Sequence, residues 1–142
     1  PFASKLEKVL EFRGQAEEQA RLALAEALRL HQEQKKKLWA VEETIVAHQK
    51  KKYDSLSAND MWLWQQYDSA LKADLHAAQL RLKQSALNLQ KCRAEAVKKS
   101  KDRKLLEKLK ENQAKKYHEE ESLKEQKEFD EMATIRFKPE NF

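Results

Sequence analysis

Glycine, proline and cysteine are almost missing from this sequence: its 142 residues include one glycine, two prolines and one cysteine. Sheets, tight turns and phosphate-binding loops depend on glycine and proline, so their scarcity excludes an all-β fold and a dinucleotide-binding α/β fold. The single Cys92 excludes an internal disulfide and a CxxC metal or redox site. No glycine-rich phosphate loop and no nucleophile motif is present. We therefore predict a protein that is not an enzyme, without catalytic residues or cofactors.

Long apolar runs are also missing. No uninterrupted run is longer than the one at residues 61–64, whereas a helix needs roughly 18 apolar residues to cross a bilayer. The amino terminus does not show a basic segment followed by an apolar one, so we expect a soluble protein that is not exported by a cleaved signal. The four histidines are too far apart for the i, i+4 pairing of a helical metal site, and no metal is expected. They are His31, His48, His76 and His118.

The residues that are abundant are strong helix formers. Alanine, glutamate, lysine, leucine and arginine account for 84 of the 142 residues, above the share of roughly 50% that is typical of long helices and coiled coils. Leucine, isoleucine, valine and phenylalanine together number only 30. Such a chain can bury one narrow apolar stripe but not a broad core with a substrate pocket. The composition predicts an extended, all-α protein.

Two segments repeat apolar residues every 3.5 positions, which is the spacing of a coiled coil. The stripe of the first segment comprises Leu6, Leu10, Arg13, Glu17, Ala20, Leu24, Ala27, His31, Gln34, Leu38, Val41, Ile45 and His48. The stripe of the second segment comprises Trp64, Tyr67, Leu71, Leu75, Ala78, Leu82, Ser85, Leu89, Cys92, Ala96, Lys99, Arg103 and Leu106. Each stripe predicts one long helix.

A turn is predicted at residues 54–60, the stretch richest in side chains that compete with helix for backbone hydrogen bonds. Ser57, followed three residues later by Asp60, resembles a capping box at the start of the second helix. We expect this helix to continue to about Lys138, because Pro139 disfavours helical geometry in the residue before it.

A short connection makes the two helices antiparallel neighbours, so the predicted fold is an all-α, antiparallel coiled-coil hairpin. A turn centred near residue 56 would pair Leu38 with Leu75, His31 with Leu82 and Leu6 with Glu107. Pairing would then end near residue 110, and the second helix would overhang the first. The predicted parts are a first helix with the turn entry (1–56), the paired part of the second helix (57–110) and a projecting helix with a short tail (111–142).

Basic side chains concentrate in the paired part of the second helix. Residues 57–110 carry 12 basic and 6 acidic side chains, whereas residues 111–142 carry 6 and 9. The lysine-rich run at residues 98–110 could bind nucleic acid or anionic lipid, but acidic residues interrupt it and no aromatic ring is interleaved for base stacking. We interpret it as a solvated helix face and predict no nucleic-acid partner.

Two apolar clusters exceed what a two-helix hairpin can cover. Near the turn lie Tyr53, Met61, Trp62, Trp64 and Tyr67. Trp62 and Trp64 are about 200° apart around a helix, so one indole should be exposed. These rings either close the end of the hairpin or dock a partner. On the projecting helix lie Phe129, Met132, Ala133 and Phe137, for which this chain supplies no partner. That segment either frays, pairs with the same segment of a second copy, or binds another protein.

The sequence resembles the FliJ family of the bacterial flagellar export apparatus at three places along its length. The first is Phe2 with Leu6, Val9, Leu10 and Arg13. The second is Trp64, Gln65, Gln66 and Tyr67, with Leu71 shortly after. The third is the stretch EQKEFDE at residues 125–131, with Ala133 and Arg136 following. Phe129 stands where leucine is expected in the family, a departure that keeps the position apolar.

This resemblance implies a rod similar to the central stalk of rotary ATPases, located in the cytoplasm at the inner face of the membrane. The family's open end enters the hexameric export ATPase and promotes its activity, its hairpin end reaches the export gate protein, and its members escort export chaperones. For the ATPase the resemblance points to Leu123, Phe129, Met132, Ala133, Arg136 and Phe137. For the gate it points to Tyr53, Trp62, Trp64, Tyr67 and Leu71. The alternatives are a stalk of a virulence type III secretion system and a generic coiled-coil tether.

Overall fold

Residues 6–51 and 57–136 are described by the computed structural model, and they form two helices, α1 (Glu7–Lys50) and α2 (Ala58–Arg136). The helices pack against each other as an antiparallel hairpin with α2 overhanging, and no strand occurs in these two ranges. The predicted fold class is therefore confirmed. Lys138, the predicted end of the second helix, lies outside the described residues, as do turn residues 54–56.

The start of α2 is capped as the sequence predicts. The backbone N–H of Asp60 donates a hydrogen bond of 3.2 Å to the Ser57 side-chain oxygen, and the N–H of Met61 donates one of 3.0 Å to the Ser57 carbonyl. The Asp60 carboxylate lies in the first turn, where the helix dipole favours negative charge. In α1 the dipole is complemented by Glu7 in the first turn and Lys50 in the last.

The chain divides into two compact units, and each contains part of α1 beside part of α2. The first unit combines Pro1–Glu17 with Lys99–Phe142, and the second is Glu18–Lys98. This division differs from the predicted parts 1–56, 57–110 and 111–142, which stay a prediction.

The line along which the helices meet, called the seam below, follows the predicted stripes. Every predicted position of α1 is buried or half-buried, and so is every predicted position of α2 except Tyr67. Deeply buried seam residues of the second unit are Ala20, Ala27, Leu38, Leu71, Ala78 and Leu89. Two of them, Ala27 and Ala78, are only 2% and 1% exposed. The core is thus a narrow stripe, as the shortage of large apolar residues predicts.

A polar pair fixes the register inside the second unit. Nδ1 of His31 lies 2.9 Å from Oγ of Ser85, and the Ser85 hydroxyl donates its one hydrogen to the Leu82 carbonyl at 2.8 Å. His31 must therefore donate from Nδ1, because the hydroxyl hydrogen is already used. The sequence places His31 opposite Leu82, so the observed partner lies three residues further along α2. The pairing of Leu38 with Leu75 stays a prediction.

A hydrogen bond to the backbone and ion pairs join the helices in the first unit. The Arg13 guanidinium donates to the Asp102 carbonyl at 3.0 Å, and Arg103 donates to the Glu17 carboxylate across the seam. Arg103 also pairs with Glu107 on its own helix at 2.7 Å. The hydrogen bonds that Arg103 donates to Glu17 and, to a lesser extent, to Glu107 raise the pKa of Arg103 above its ordinary value, so this arginine stays charged at any physiological pH.

Near the start of α1, an ion pair of 3.5 Å joins Glu7 to Lys110 of α2. Leu106, one turn before Lys110, is only 7% exposed, and Ala114, one turn after it, is half-buried. All residues 115–136 are exposed. These residues are called the exposed helix below.

Candidate docking sites at the hairpin end and on the exposed helix

The first candidate site surrounds a buried histidine near the end of α1. His48 is only 4% exposed and is the sole polar residue in the buried class among residues 6–51 and 57–136. Its ring stacks on the Trp64 indole, with centroids 4.4 Å apart and planes 22° from parallel. The Tyr67 ring meets His48 edge-on, with centroids 4.9 Å apart. Two rings from α2 thus enclose the imidazole, and together with Met61, Trp62 and Leu63 these residues form the hairpin-end cluster.

A carboxylate faces the same imidazole. Oδ1 of Asp68 lies 3.7 Å from Nε2 of His48, and the Asp68 side chain is only 16% exposed. Nζ of Lys72 pairs with the other Asp68 oxygen at 2.9 Å. The carboxylate is therefore balanced by a cation on its own helix, and it faces the ring without being hydrogen-bonded to it.

The hairpin-end cluster separates into an inner and an outer set. Trp64 is half-buried and belongs to the inner set at the seam, as His48 does. Leu71, outside the cluster, is 6% exposed and also belongs to the seam. Trp62 and Tyr67 are 56% and 50% exposed. The prediction that one of the two indoles is exposed is confirmed. Of the residues suggested for the gate, Trp62 and Tyr67 present the most surface, and Tyr53 lies outside the described residues.

Two neighbours of Trp62 enlarge the outer set. Met61 and Leu63 are 42% and 51% exposed, so three consecutive residues turn apolar side chains to solvent. His48 was predicted as part of the stripe but not as part of the site. The sequence signal that could have assigned His48 to the site is its position in the stripe close to an aromatic-rich turn.

The second candidate site is the exposed helix. Leu123, Phe129, Met132 and Ile135 are 65%, 71%, 55% and 73% exposed, although large apolar side chains are normally the first to be buried. Tyr117 lies at its start, 39% exposed, with its ring 5.7 Å from that of His118. The exposed helix therefore offers apolar surface that the described part of this chain does not cover.

The suggested ATPase contacts fall mainly on one side of this helix. Phe129, Met132, Ala133 and Arg136 are spaced i, i+3, i+4 and i+7, which places them within an arc of about 100°. Leu123 lies about 120° around the helix from Phe129, so it belongs to another side. Ile135, which the sequence analysis did not select, lies about 60° from Met132 and widens the apolar side. Phe137 lies outside the described residues.

Both sites offer apolar surface for binding. Within the described ranges, no group of three or more His, Cys, Asp or Glu side chains could hold a metal ion. Neither helix is long and apolar enough to span a membrane. What the sites offer are exposed aromatic, methionine and leucine side chains, the residues that anchor protein interfaces.

A two-helix coiled-coil hairpin with two exposed apolar surfaces, both candidates for docking, is typical of the class of proteins that work by contact with partners. The family described as "Flagellar FliJ protein" matches residues 2–141, essentially the whole chain. This chain belongs to the FliJ family and is thereby placed among the components of the flagellar export apparatus. That family is a structural component of export and not a known enzyme family. No curated protein and no solved structure matches the chain significantly.

Proposed function

We propose that this protein is a stalk-like rod of the flagellar type III export apparatus that binds and stimulates the hexameric export ATPase through the exposed helix. The rod acts in the cytoplasm, peripherally at the inner face of the membrane. The observation that carries the proposal is the uncovered side of the exposed helix formed by Phe129, Met132, Ala133 and Arg136.

An isolated helix gains little stability from propensity alone, and its apolar side chains favour a partner's groove over water. The i, i+3, i+4, i+7 spacing is the pattern by which a helix docks in such a groove. Arg136 adds a cation at the last turn, where it can pair with a carboxylate of the partner. The exposed helix has 22 residues, so it presents this pattern on a segment about 33 Å long.

Stimulation of ATP hydrolysis by the isolated export ATPase tests the proposal. Replacing Phe129 and Met132 together by alanine should raise the concentration of this protein needed for half-maximal stimulation by about tenfold or more, as expected for interface anchors. The matched control is Leu105→Ala, which removes an equally exposed apolar side chain from the paired part of α2 and should leave stimulation unchanged. Undiminished stimulation by the double variant, with its helix content intact by circular dichroism, would refute the assignment.

The hairpin-end cluster is proposed as the surface that meets the export gate protein. Its outer set supports this, because Trp62 and Tyr67 expose about half of their surface while the folded hairpin remains closed by Trp64. Trp62→Ala should weaken binding to the gate's soluble domain without altering the unfolding midpoint. Leu87→Ala, which also removes an exposed apolar side chain from α2, is the control. Equal binding of both variants would remove the gate from the proposal.

Escort of export chaperones is the third proposed role, and it rests on family membership. Co-elution of the chain with purified export chaperones in size-exclusion chromatography tests it, and separate elution at high concentration argues against it.

A further inference from the structure

A tryptophan on the outer side of α1 belongs to neither candidate site. Trp39 is 57% exposed and Val46 is 49% exposed, and both line a shallow groove together with Glu42, Glu43, Ala47 and Lys50. All of these residues lie in the second unit. Four of these groove residues and two lysines one turn before Trp39 form the surface called the Trp39 face. Its residues are Lys35, Lys36, Trp39, Glu42, Glu43 and Val46.

The charges on this face are arranged symmetrically about the indole. Lys35 and Glu42 lie about 40° and 60° to one side of Trp39 around the helix axis, because successive residues are about 100° apart. By the same geometry, Lys36 and Glu43 lie about 60° and 40° to the other side. Both lysines precede Trp39 by one turn and both glutamates follow it by one turn.

These four charged side chains have no ion-pair partner in the part of the chain that the structure describes. Neighbouring side chains do pair along α1: Glu33 accepts from Arg29 at 3.3 Å and lies 3.6 Å from Lys37. Lys35, Lys36, Glu42 and Glu43 take part in no such ion pair within the described residues. Three of the four are exposed and Lys35 is half-buried.

From this arrangement we infer that the Trp39 face is the interface of a symmetric homodimer in which the α1 helices of two copies run antiparallel. A twofold axis beside Trp39 places each Lys35 opposite the partner's Glu42 and each Lys36 opposite the partner's Glu43, and the two indoles meet at the centre. A twofold interface must be complementary to itself, and this face is. A parallel arrangement would instead place lysine against lysine and glutamate against glutamate.

The contact is small, so the dimer forms reversibly and weakly. Its apolar centre consists of two indoles flanked by valine, well below the area of a permanent interface. The surrounding ion pairs are exposed to solvent, so salt weakens them. The dimer fraction therefore rises with protein concentration and falls as salt is added.

Analytical ultracentrifugation of the full chain with charge-reversed variants tests the inference. Reversing both lysines (Lys35→Glu with Lys36→Glu) makes the face wholly acidic, and reversing both glutamates (Glu42→Lys with Glu43→Lys) makes it wholly basic. Each variant alone should dimerise at least about tenfold more weakly than the unaltered chain, because like charges meet. An equimolar mixture of the two should form a heterodimer, and all four substitutions together should restore the homodimer.

Two further variants distinguish this interface from other modes of association. Trp39→Ala should abolish the dimer by removing its centre. Lys98→Glu with Lys101→Glu makes the same change of net charge at exposed positions outside the face and should dimerise as the unaltered chain does. A chain that stays monomeric at low salt and high concentration overturns the inference. So does a dimer that tolerates the reversals but is lost when Phe129 is replaced by alanine, because that result assigns dimerisation to the exposed helix.

Discussion

The imidazole of His48 lies against the indole of Trp64, with ring centroids 4.4 Å apart and planes 22° from parallel. This contact decides which tryptophan is inside. Trp62 precedes Trp64 by two residues and therefore points about 200° away around the same helix, so fixing Trp64 at the seam turns Trp62 outward. The buried histidine thus positions the exposed aromatic surface of the hairpin-end cluster.

Replacing His48 by alanine should lower the free energy of unfolding by about 2 kcal/mol, because it removes a buried ring and its stacking partner's contact. His48→Phe should recover most of that loss, since a second aromatic ring can stack in the same place. Urea unfolding followed by circular dichroism measures both. His76→Ala, at an exposed position, is the control and should change little. An equal effect of the two alanine variants would contradict the role given to His48.

Two leucines of α2 should respond differently to truncation. Leu71 is 6% exposed whereas Leu87 is 59% exposed. Leu71→Ala should cost about 2 to 3 kcal/mol of stability, and Leu87→Ala should stay within about 0.5 kcal/mol. Denaturant titrations of the two variants give the comparison. Similar midpoints would mean that the seam does not run where the structure places it.

The pair of Glu17 and Arg103 should behave as a coupled unit. Arg103→Met leaves the Glu17 carboxylate, whose side chain is only 14% exposed, without its cross-seam partner, so the melting temperature should fall. Replacing both residues by methionine should recover part of the loss, because the largely buried Glu17 carboxylate is then removed along with its partner. A double-mutant cycle of melting temperatures at low and high salt measures the coupling. Strictly additive changes would show that the two side chains act independently.

The acid titration of Glu26 should depend on Arg29. The hydrogen bond from Arg29, with a closest distance of 2.6 Å, lowers the pKa of Glu26 below its ordinary value of 4.5. The pair therefore stabilises the fold above the ordinary value and loses that contribution as the pH falls through the lowered pKa. Carboxyl NMR titration should show the Glu26 midpoint rising in Arg29→Met. Arg21→Met is the control, and a rise there of equal size would count against the assigned pair.

Much of the fold could be read from spacing alone. A 3.5-residue repeat fixes which side of each helix is buried, so the stripes from Leu6 to His48 and from Trp64 to Leu106 agree with the observed seam apart from Tyr67. The capping of α2 by Ser57 was also predictable, because the Ser57–Asp60 spacing is local. The exact register was less predictable: the hydrogen bond of His31 goes to Ser85, three residues beyond the predicted neighbour Leu82, since the turn geometry sets the offset between the helices and the repeat allows several.

Sequence alone determined the all-α hairpin, the buried side of each helix and the family, since these depend on composition, periodicity and motifs that neighbouring residues carry. Only the tertiary structure decided that His48 is enclosed by Trp64 and Tyr67 and that Glu17 meets Arg103, because such contacts join residues far apart in the chain. The tertiary structure also decided which apolar side chains stay exposed to solvent. A residue is exposed when no other part of the chain reaches it, and that depends on where the partner helix ends.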